Sequence, residues 1–377
     1  LHRCLGAVVL DDHRTRFCVW APAHEKLEIE LIGQSRRVAM DRLASGHHTV
    51  VVDGVGQGDQ YFVRLPGGES RPDPVSRSQP LGVHGPSEVI DHHFPWSDQD
   101  WQIGEPEDQI IYELHLGTFT DEGTFSAAID RLDELVDLGV TAIELMPVAQ
   151  CPGKWNWGYD GVNLFAPNHN YGPPSEMRKL VDAAHDKGLA VILDVVYNHF
   201  GPEGNYLGEY GSYLSSRHTT PWGAAPNLDD PDHADQIRRF VVANAIYWLD
   251  EFHIDGLRVD AIHCIRDDSD PHIAEEISDA AERWSMVTGR KSLLVAESNV
   301  YDPEMTISRD DHGIGFDAQW CDDFLHSVSA VLRPGEHHCH RSYEPGSDLD
   351  QTLRMGFVYE GTLRDQRGRR PPGPRID

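Results

Sequence analysis

"GLRVDAIHCIRDDS", residues 256–269, sets an arginine and an aspartate two positions apart in an otherwise apolar run. Side chains alternate between the two faces of a strand, so Arg258 and Asp260 share one face. Isolated buried charges are costly. Paired, the guanidinium keeps the carboxylate ionised and fixes its direction. The stretch reads as a strand with a charged pair on its inner face. Its neighbours decide what kind of sheet it belongs to.

Outward from it, short apolar runs alternate with helical patterns. "QIIYELHLGTF" (109–119) leads into a helix over 124–139, and the strand "VTAIELMPV" (140–148) follows. "SEMRKLVDAAHDKG" (175–188) reads as a helix capped by Ser175 and stopped by Gly188. "LAVILDVVYNH" (189–199) is a nearly continuous apolar strand. "ADQIRRFVVANAIYWLDEF" (234–252) is an amphipathic helix that precedes the strand "DGLRVDA" (255–261). A helix at 272–286, strands at 291–298 and 316–320 and a helix at 322–332 continue the alternation. Strands buried on both faces and alternating with helices make a parallel α/β architecture. The candidates are a doubly wound sheet and a (β/α)8 TIM barrel, of which about six strand–helix units are present. Neither GxGxxG nor GxxxxGK[ST] follows the first strand, which disfavours the doubly wound sheet. Polar residues end several different strands instead: Asp194, Asn198 and His199, then Arg258 and Asp260, then Glu297. An active site at the C-terminal face of a barrel requires that distribution.

Residues 1–95 have another texture. "TRFCVWAP" (15–22), "LEIELIG" (27–33), "HTVVVDGV" (48–55) and "QYFVRL" (60–65) are short β-rich runs separated by Gly, Asp and Pro, as in a small β-sandwich. "RPDPVSRSQPLGVHGP" (71–86) reads as an irregular linker. The expected division is an all-β unit at 1–95 and the barrel at 96–377.

With 377 residues, 39% of them hydrophobic, the chain can bury a sizeable core. A net charge of −30 argues against nucleic acid and anionic membranes as partners. The six cysteines are scattered without CxxC spacing, which fits reduced thiols in a cytoplasmic protein. No apolar run reaches the roughly 18 residues of a membrane helix, and no signal peptide is visible.

The polar strand ends suggest a chemistry. An ionised, aimed carboxylate at Asp260 suits a nucleophile at a sugar C1. Glu297 lies 37 positions later, one strand–helix–strand repeat. Adjacent strands are roughly 4.8 Å apart, so the two carboxyls can approach the roughly 5–5.5 Å of a retaining glycosidase. Glu297 ends "LLVAE", where burial and a nearby carboxylate raise its pKa, as a general acid needs. A plain salt bridge at a barrel rim is the other reading of these residues taken alone. "EHHCH" (336–340) and the pairs at 47–48 and 92–93 read as histidine-bearing loops, and "RDDSD" (266–270) as a solvated or site-shaping turn; no metal site is expected. "KWNWGY" (154–159) follows a strand end where its rings can stack on sugar.

"DVVYNH" (194–199), "GLRVDA" (256–261), "VAES" (295–298) and "WGYDGVNLFAPNHNYG" (157–172) resemble the motif regions of the α-amylase superfamily of glycoside hydrolases. The β-rich N-terminal region resembles the carbohydrate-binding-like module of its branching-type members. "NHFGPEGNYL" (198–207), "HTTPWGAAPNLD" (218–229), "DAIHCIRDDS" (260–269), "FDAQWCDDF" (316–324) and "GFVYEG" (356–361) are similar to the maltooligosyltrehalose trehalohydrolase branch. The resemblance implies Asp260 as nucleophile, Glu297 as acid/base and Arg258 as the residue that orients Asp260. It implies Tyr159 stacking on the sugar, His199 and His263 bonding its hydroxyls, and Asp194 and Asn198 supporting them. Asp323, Phe324 and His326 would line the trehalose side, with Leu325 where the family more often has a second His. The implied partners are maltooligosyl trehalose and other α-1,4-glucan oligosaccharides, with no organic cofactor. Glycogen branching enzyme and a non-catalytic glucan-binding protein are the alternatives. The superfamily takes a third carboxylate from an Asn-His-Asp motif ending its seventh strand. The sequence stops at "GRRPPGPRID" (368–377), before such a strand, and is expected to be a fragment of a longer protein.

Overall fold

The computed structural model describes residues 2–11, 13–336, 339, 341–365 and 368–370. Six strands, β1 (Ile111–Leu114), β2 (Ala142–Leu145), β3 (Ala190–Val195), β4 (Gly256–Val259), β5 (Leu293–Ser298) and β6 (Ala318–Cys321), pair in parallel in the order of the chain. Helix α1 (Pro174–Asp186) precedes β3, α2 (Ala234–Glu251) precedes β4, α3 (Ile273–Thr288) precedes β5 and α4 (Asp323–Leu332) follows β6.

Period two along the strands sorts the side chains into two cores. Ile143, Leu145, Val191, Leu193, Leu257, Val259, Leu294 and Ala296 join the main core with helix residues such as Leu180, Phe240 and Trp248. Ala142, Ala190, Ile192, Leu293 and Val295 form a separate inner cluster with Ile103, against which Trp101 and Trp320 pack. One pleat further along each strand, the inner face changes from apolar to charged: Glu144, Asp194, Arg258 and Glu297. The half-barrel thus carries its charges on the inner face, toward its C-terminal ends, where the sequence pattern places them.

The first ninety residues form two antiparallel sheets. Gly6–Asp11, Arg14–Trp20, His47–Asp53 and Asp41–Arg42 make one. Arg36–Ala39, Glu28–Leu31, Gln60–Arg64 and Ser70–Arg71 make the other, and Ser87–Glu88 pairs with Gln60–Arg64. Phe17, Val19, Ile29, Leu31, Val52, Tyr61 and Val63 are buried in the core these sheets share with the barrel.

Several local expectations are corrected. The helix at 124–139 is two pieces, Phe125–Ile129 and Leu132–Leu138. Phe125, Ala128, Leu132 and Leu135 stay buried across the break, so the apolar spacing survives it. Ser175 does not cap α1. The extended Pro173 does, and Pro174 takes the first helical position, where its missing N–H costs nothing. Residues 71–86 are irregular but largely buried: Arg77 Nη2 donates to the His2 carbonyl at 2.8 Å, tying the stretch to the chain's start. His47 and His48 lie in a strand, with His48 paired opposite Val19 and buried. Asp267 of "RDDSD" is not solvated. It takes Arg238 at 2.7 Å and the Ile273 amide at 2.6 Å, which anchors the start of α3. His337, His338 and His340 of "EHHCH" lie outside the described residues.

Candidate active site

Asp260 leaves the end of β4 with its amide bonded to the Val195 carbonyl at 2.9 Å. Both carboxylate oxygens are held. Arg258 Nη1 donates to Oδ1 at 2.9 Å, and Asn198 Nδ2 donates to Oδ2 at 2.9 Å. Two bonds to the carboxylate, one from β4 and one from the loop after β3, leave it little freedom to rotate. Arg258 Nη1 also donates to Asp194 Oδ2 at 2.7 Å, and the Tyr159 hydroxyl donates to the same oxygen at 2.9 Å. Asp194 is buried, and burial drives its pKa up against the pull of Arg258. Tyr159, Asp194, Arg258, Asp260 and Asn198 therefore form one connected network.

Glu297 ends β5 and accepts from the Ala261 amide at 2.6 Å, with Arg258 Nη2 3.8 Å away. Ala261 has φ 39°, in the left-handed region that costs an L-residue about 1–2 kcal/mol. The strained turn after Asp260 is what aims that amide at Glu297. Burial raises the Glu297 pKa to about 7, Asp260 pushes the same way, and Arg258 and the Ala261 amide oppose. The side chains of Asp260 and Glu297 remain 16% and 15% exposed, so both can be touched from the barrel mouth.

His199 and His263 are buried beside the pair. Burial lowers both, His263 to about 4, so each is neutral near pH 7 and can donate or accept a hydrogen bond. The His199 ring stacks on Trp222 at 5.1 Å between centroids. Trp155 and Trp157 are exposed on the loop that carries Tyr159. That loop turns at Gly158, with φ +99°, where a Cβ would meet the Pro147 carbonyl oxygen at 2.0 Å. Gly158→Ala must displace Tyr159, and a shift of about 1 Å at such a site costs on the order of 10²-fold in rate. Turnover of the variant, with its melting temperature as control, checks this.

The 323–326 group divides. Asp323 is fully buried and does not face a ligand, contrary to the sequence reading. Its carboxylate accepts from the Val358 and Tyr359 amides at 2.6 and 2.7 Å and from the Tyr343 hydroxyl at 2.6 Å. It anchors the 357–359 segment. Phe324 and Leu325 are exposed, while the His326 ring tilts against Tyr343 at 5.3 Å. Glu144 is a site residue that the sequence reading misses. Its signal was the same as that of Arg258: a charge at the inward parity of an apolar strand, "AIELM". Among the described residues two groups could approach a metal ion, His2 with Asp250 and Glu251, and His218 with Asp229 and Asp268. Arg3 and Arg217 already pair with these carboxylates and supply the positive charge there.

Residues 88–224 match the family model for the α-amylase catalytic domain. A malto-oligosyltrehalose trehalohydrolase of Saccharolobus solfataricus is 44% identical over 93% of this chain and 61% of its own length. The 1,4-alpha-glucan branching enzyme of Corynebacterium jeikeium is 31% identical over 95% of this chain and 54% of its own. A solved structure from Salmonella typhimurium, assigned as an α-amylase, superposes with a TM-score of 0.87 at 38% identity, over 97% of this chain and 62% of that one. The chain thus spans about three fifths of the length of the trehalohydrolases it matches. By the inward charges of its half-barrel and by these likenesses, the chain is a homologue of the malto-oligosyltrehalose trehalohydrolases and carries an α-amylase catalytic-domain match over residues 88–224.

Proposed function

We propose that this chain carries the nucleophile and the acid/base of a retaining α-glycosidase, which cleaves the α-1,4 bond next to the terminal trehalose of maltooligosyl trehalose and releases trehalose. The observation that carries the reading is the unequal treatment of two neighbouring carboxyls. Asp260 is bonded through both oxygens to Arg258 and Asn198, while burial raises Glu297 to about 7. Environments that push two carboxyls apart assign a nucleophile and a proton donor. Asp260 attacks the anomeric carbon as Glu297 passes its proton to the leaving oxygen. Glu297 then takes a proton from the water that releases the sugar from Asp260. Tyr159, exposed Trp155 and Trp157, His199, His263, Phe324 and His326 supply the surfaces for the glucan. The antiparallel sheets of residues 1–95 serve as a carbohydrate-binding-like module, and residues 96–377 as the catalytic unit. Among the described residues no helix is long and apolar enough to cross a membrane. The six cysteines are free, which supports a reducing, cytoplasmic setting.

Incubation with maltooligosyl trehalose tests the reading. Trehalose and a maltooligosaccharide released as its α-anomer are the expected products. A change in the iodine staining of amylose without trehalose would favour glucan transfer, the chemistry named for the branching-enzyme relative. Saturable glucan binding with neither product would leave a non-catalytic binder.

A further inference from the structure

Arg258 stands at the centre of four carboxyl groups. Its Nη1 donates to Asp194 and Asp260, its Nη2 lies 3.8 Å from Glu297, and its Nε lies 3.9 Å from Glu144. One positive charge faces four carboxyl groups, and burial raises the pKa of three of them, Asp194, Glu144 and Glu297. Glu144 is 1% exposed, and neither of its oxygens has a hydrogen-bond partner among the described residues. As a structural ion pair it is poor. Its attraction to Arg258 acts across 3.9 Å with no hydrogen bond to offset its desolvation. Glu113 on β1 stands directly opposite it in the sheet register and adds repulsion. The other groups around the same guanidinium are Asp194 with Tyr159, Asp260 with Asn198, and Glu297.

We propose, resting on the glycosidase reading above, that Glu144 is a positioning residue of the reaction centre: from the inner face of β2 it takes a share of the Arg258 charge and so keeps the proton on Glu297. The guanidinium, more than the Ala261 amide, pulls Glu297 toward its ionised form. A carboxylate on the far side of the same guanidinium weakens that pull. Burial places the Glu144 carboxyl itself at about 7, so it is partly ionised where Glu297 titrates. Glu144 touches no substrate in this arrangement and acts only through Arg258.

The test is a carboxyl-13C NMR titration of the resting full chain, with the Glu297 resonance assigned by its absence in Glu297→Gln. In Glu144→Gln the Glu297 midpoint is expected to fall by about one pH unit, a tenfold loss of proton affinity. Glu144→Met, neutral and of similar length, is expected to give the same fall, and remains available should the Gln variant not fold. Glu144→Asp keeps the charge and is expected to keep the midpoint. An unchanged midpoint in the neutral variants overturns the proposal, and so does an equal fall in Glu144→Asp, which would mark repacking. The titration needs no turnover. Absence of trehalose release in the unaltered protein therefore overturns the hydrolase reading alone. Where turnover is measured, the alkaline limb of its pH profile is expected to move down with the midpoint.

Discussion

Glu297→Gln is expected to lower kcat by about 10²–10⁴-fold while oligosaccharide affinity stays within a few-fold. The amide keeps the shape of the side chain and can still accept from the Ala261 amide, which now holds Glu297 at 2.6 Å. It has no proton to give. The loss should therefore fall on the bond-breaking step and spare ground-state binding. A substrate whose leaving group needs no protonation should recover most of the rate in the first step, a result that misfolding would not produce. In the unaltered protein the pKa of about 7 sets the alkaline limb: activity falls as pH rises through that value, because the acid loses its proton. Unchanged kcat in the variant would remove Glu297 from the acid role.

His185→Leu is expected to destabilise the fold by about 3–5 kcal/mol, since it removes the cation between two buried carboxylates. His185 Nδ1 bonds Asp98 and Nε2 bonds Asp255, each at 2.8 Å, and its ring stacks on Trp101 at 4.8 Å. Asp255 also accepts from the Val191 amide at 2.8 Å and the Trp101 indole at 2.7 Å, so the cluster fastens α1, β3 and the approach to β4. Burial opposes the charge on His185, but Asp255 and Asp98 outweigh it and raise its pKa. A raised histidine contributes fully below its unfolded value of about 6.5, and the contribution is lost as pH rises through the folded value. Burial likewise opposes the Asp98 charge, but His185 and His253 outweigh it and hold Asp98 below its usual range. Asp98 therefore contributes above about 3.9 and loses that contribution as pH falls through its folded value. The stability gap between the two proteins, read by urea unfolding, should be widest near pH 5.5 and narrow toward pH 9. A gap that does not vary with pH would show that the imidazole acts only by filling space.

The barrel strands were legible because their code is redundant. A strand buried on both faces is apolar throughout, and any charge in it stands out, as Arg258 and Glu297 do. Asp194 and Asn198 could be placed because they end the same kind of run. Glu144 carries the same mark but has no partner two residues away in sequence to draw the eye to it; its partner, Arg258, lies on another strand. Asp323 failed for the opposite reason. Its neighbours Phe324 and Leu325 are exposed, and nothing in "DDFLH" says that its carboxylate closes on amides 35 residues later. Ser175 lost the cap to Pro173 because Pro174 fixes the backbone that starts the helix. His48 is a strand residue because Val19 lies opposite it, a pairing that no local pattern contains.

The parallel strands follow one another across the sheet in the order in which they occur in the chain. During synthesis, each new strand and its helix therefore meet a docking edge that has already left the ribosome. No strand of the six must wait for a later one to be inserted between it and its neighbour. Early pairing covers each exposed edge within one repeat, which shortens the time that an unpaired strand is open to other chains. The arginine that organises the site arrives on β4, after the strands bearing Glu144 and Asp194 are in place. On the ribosome, the negative half of the centre is laid down before the charge that balances it.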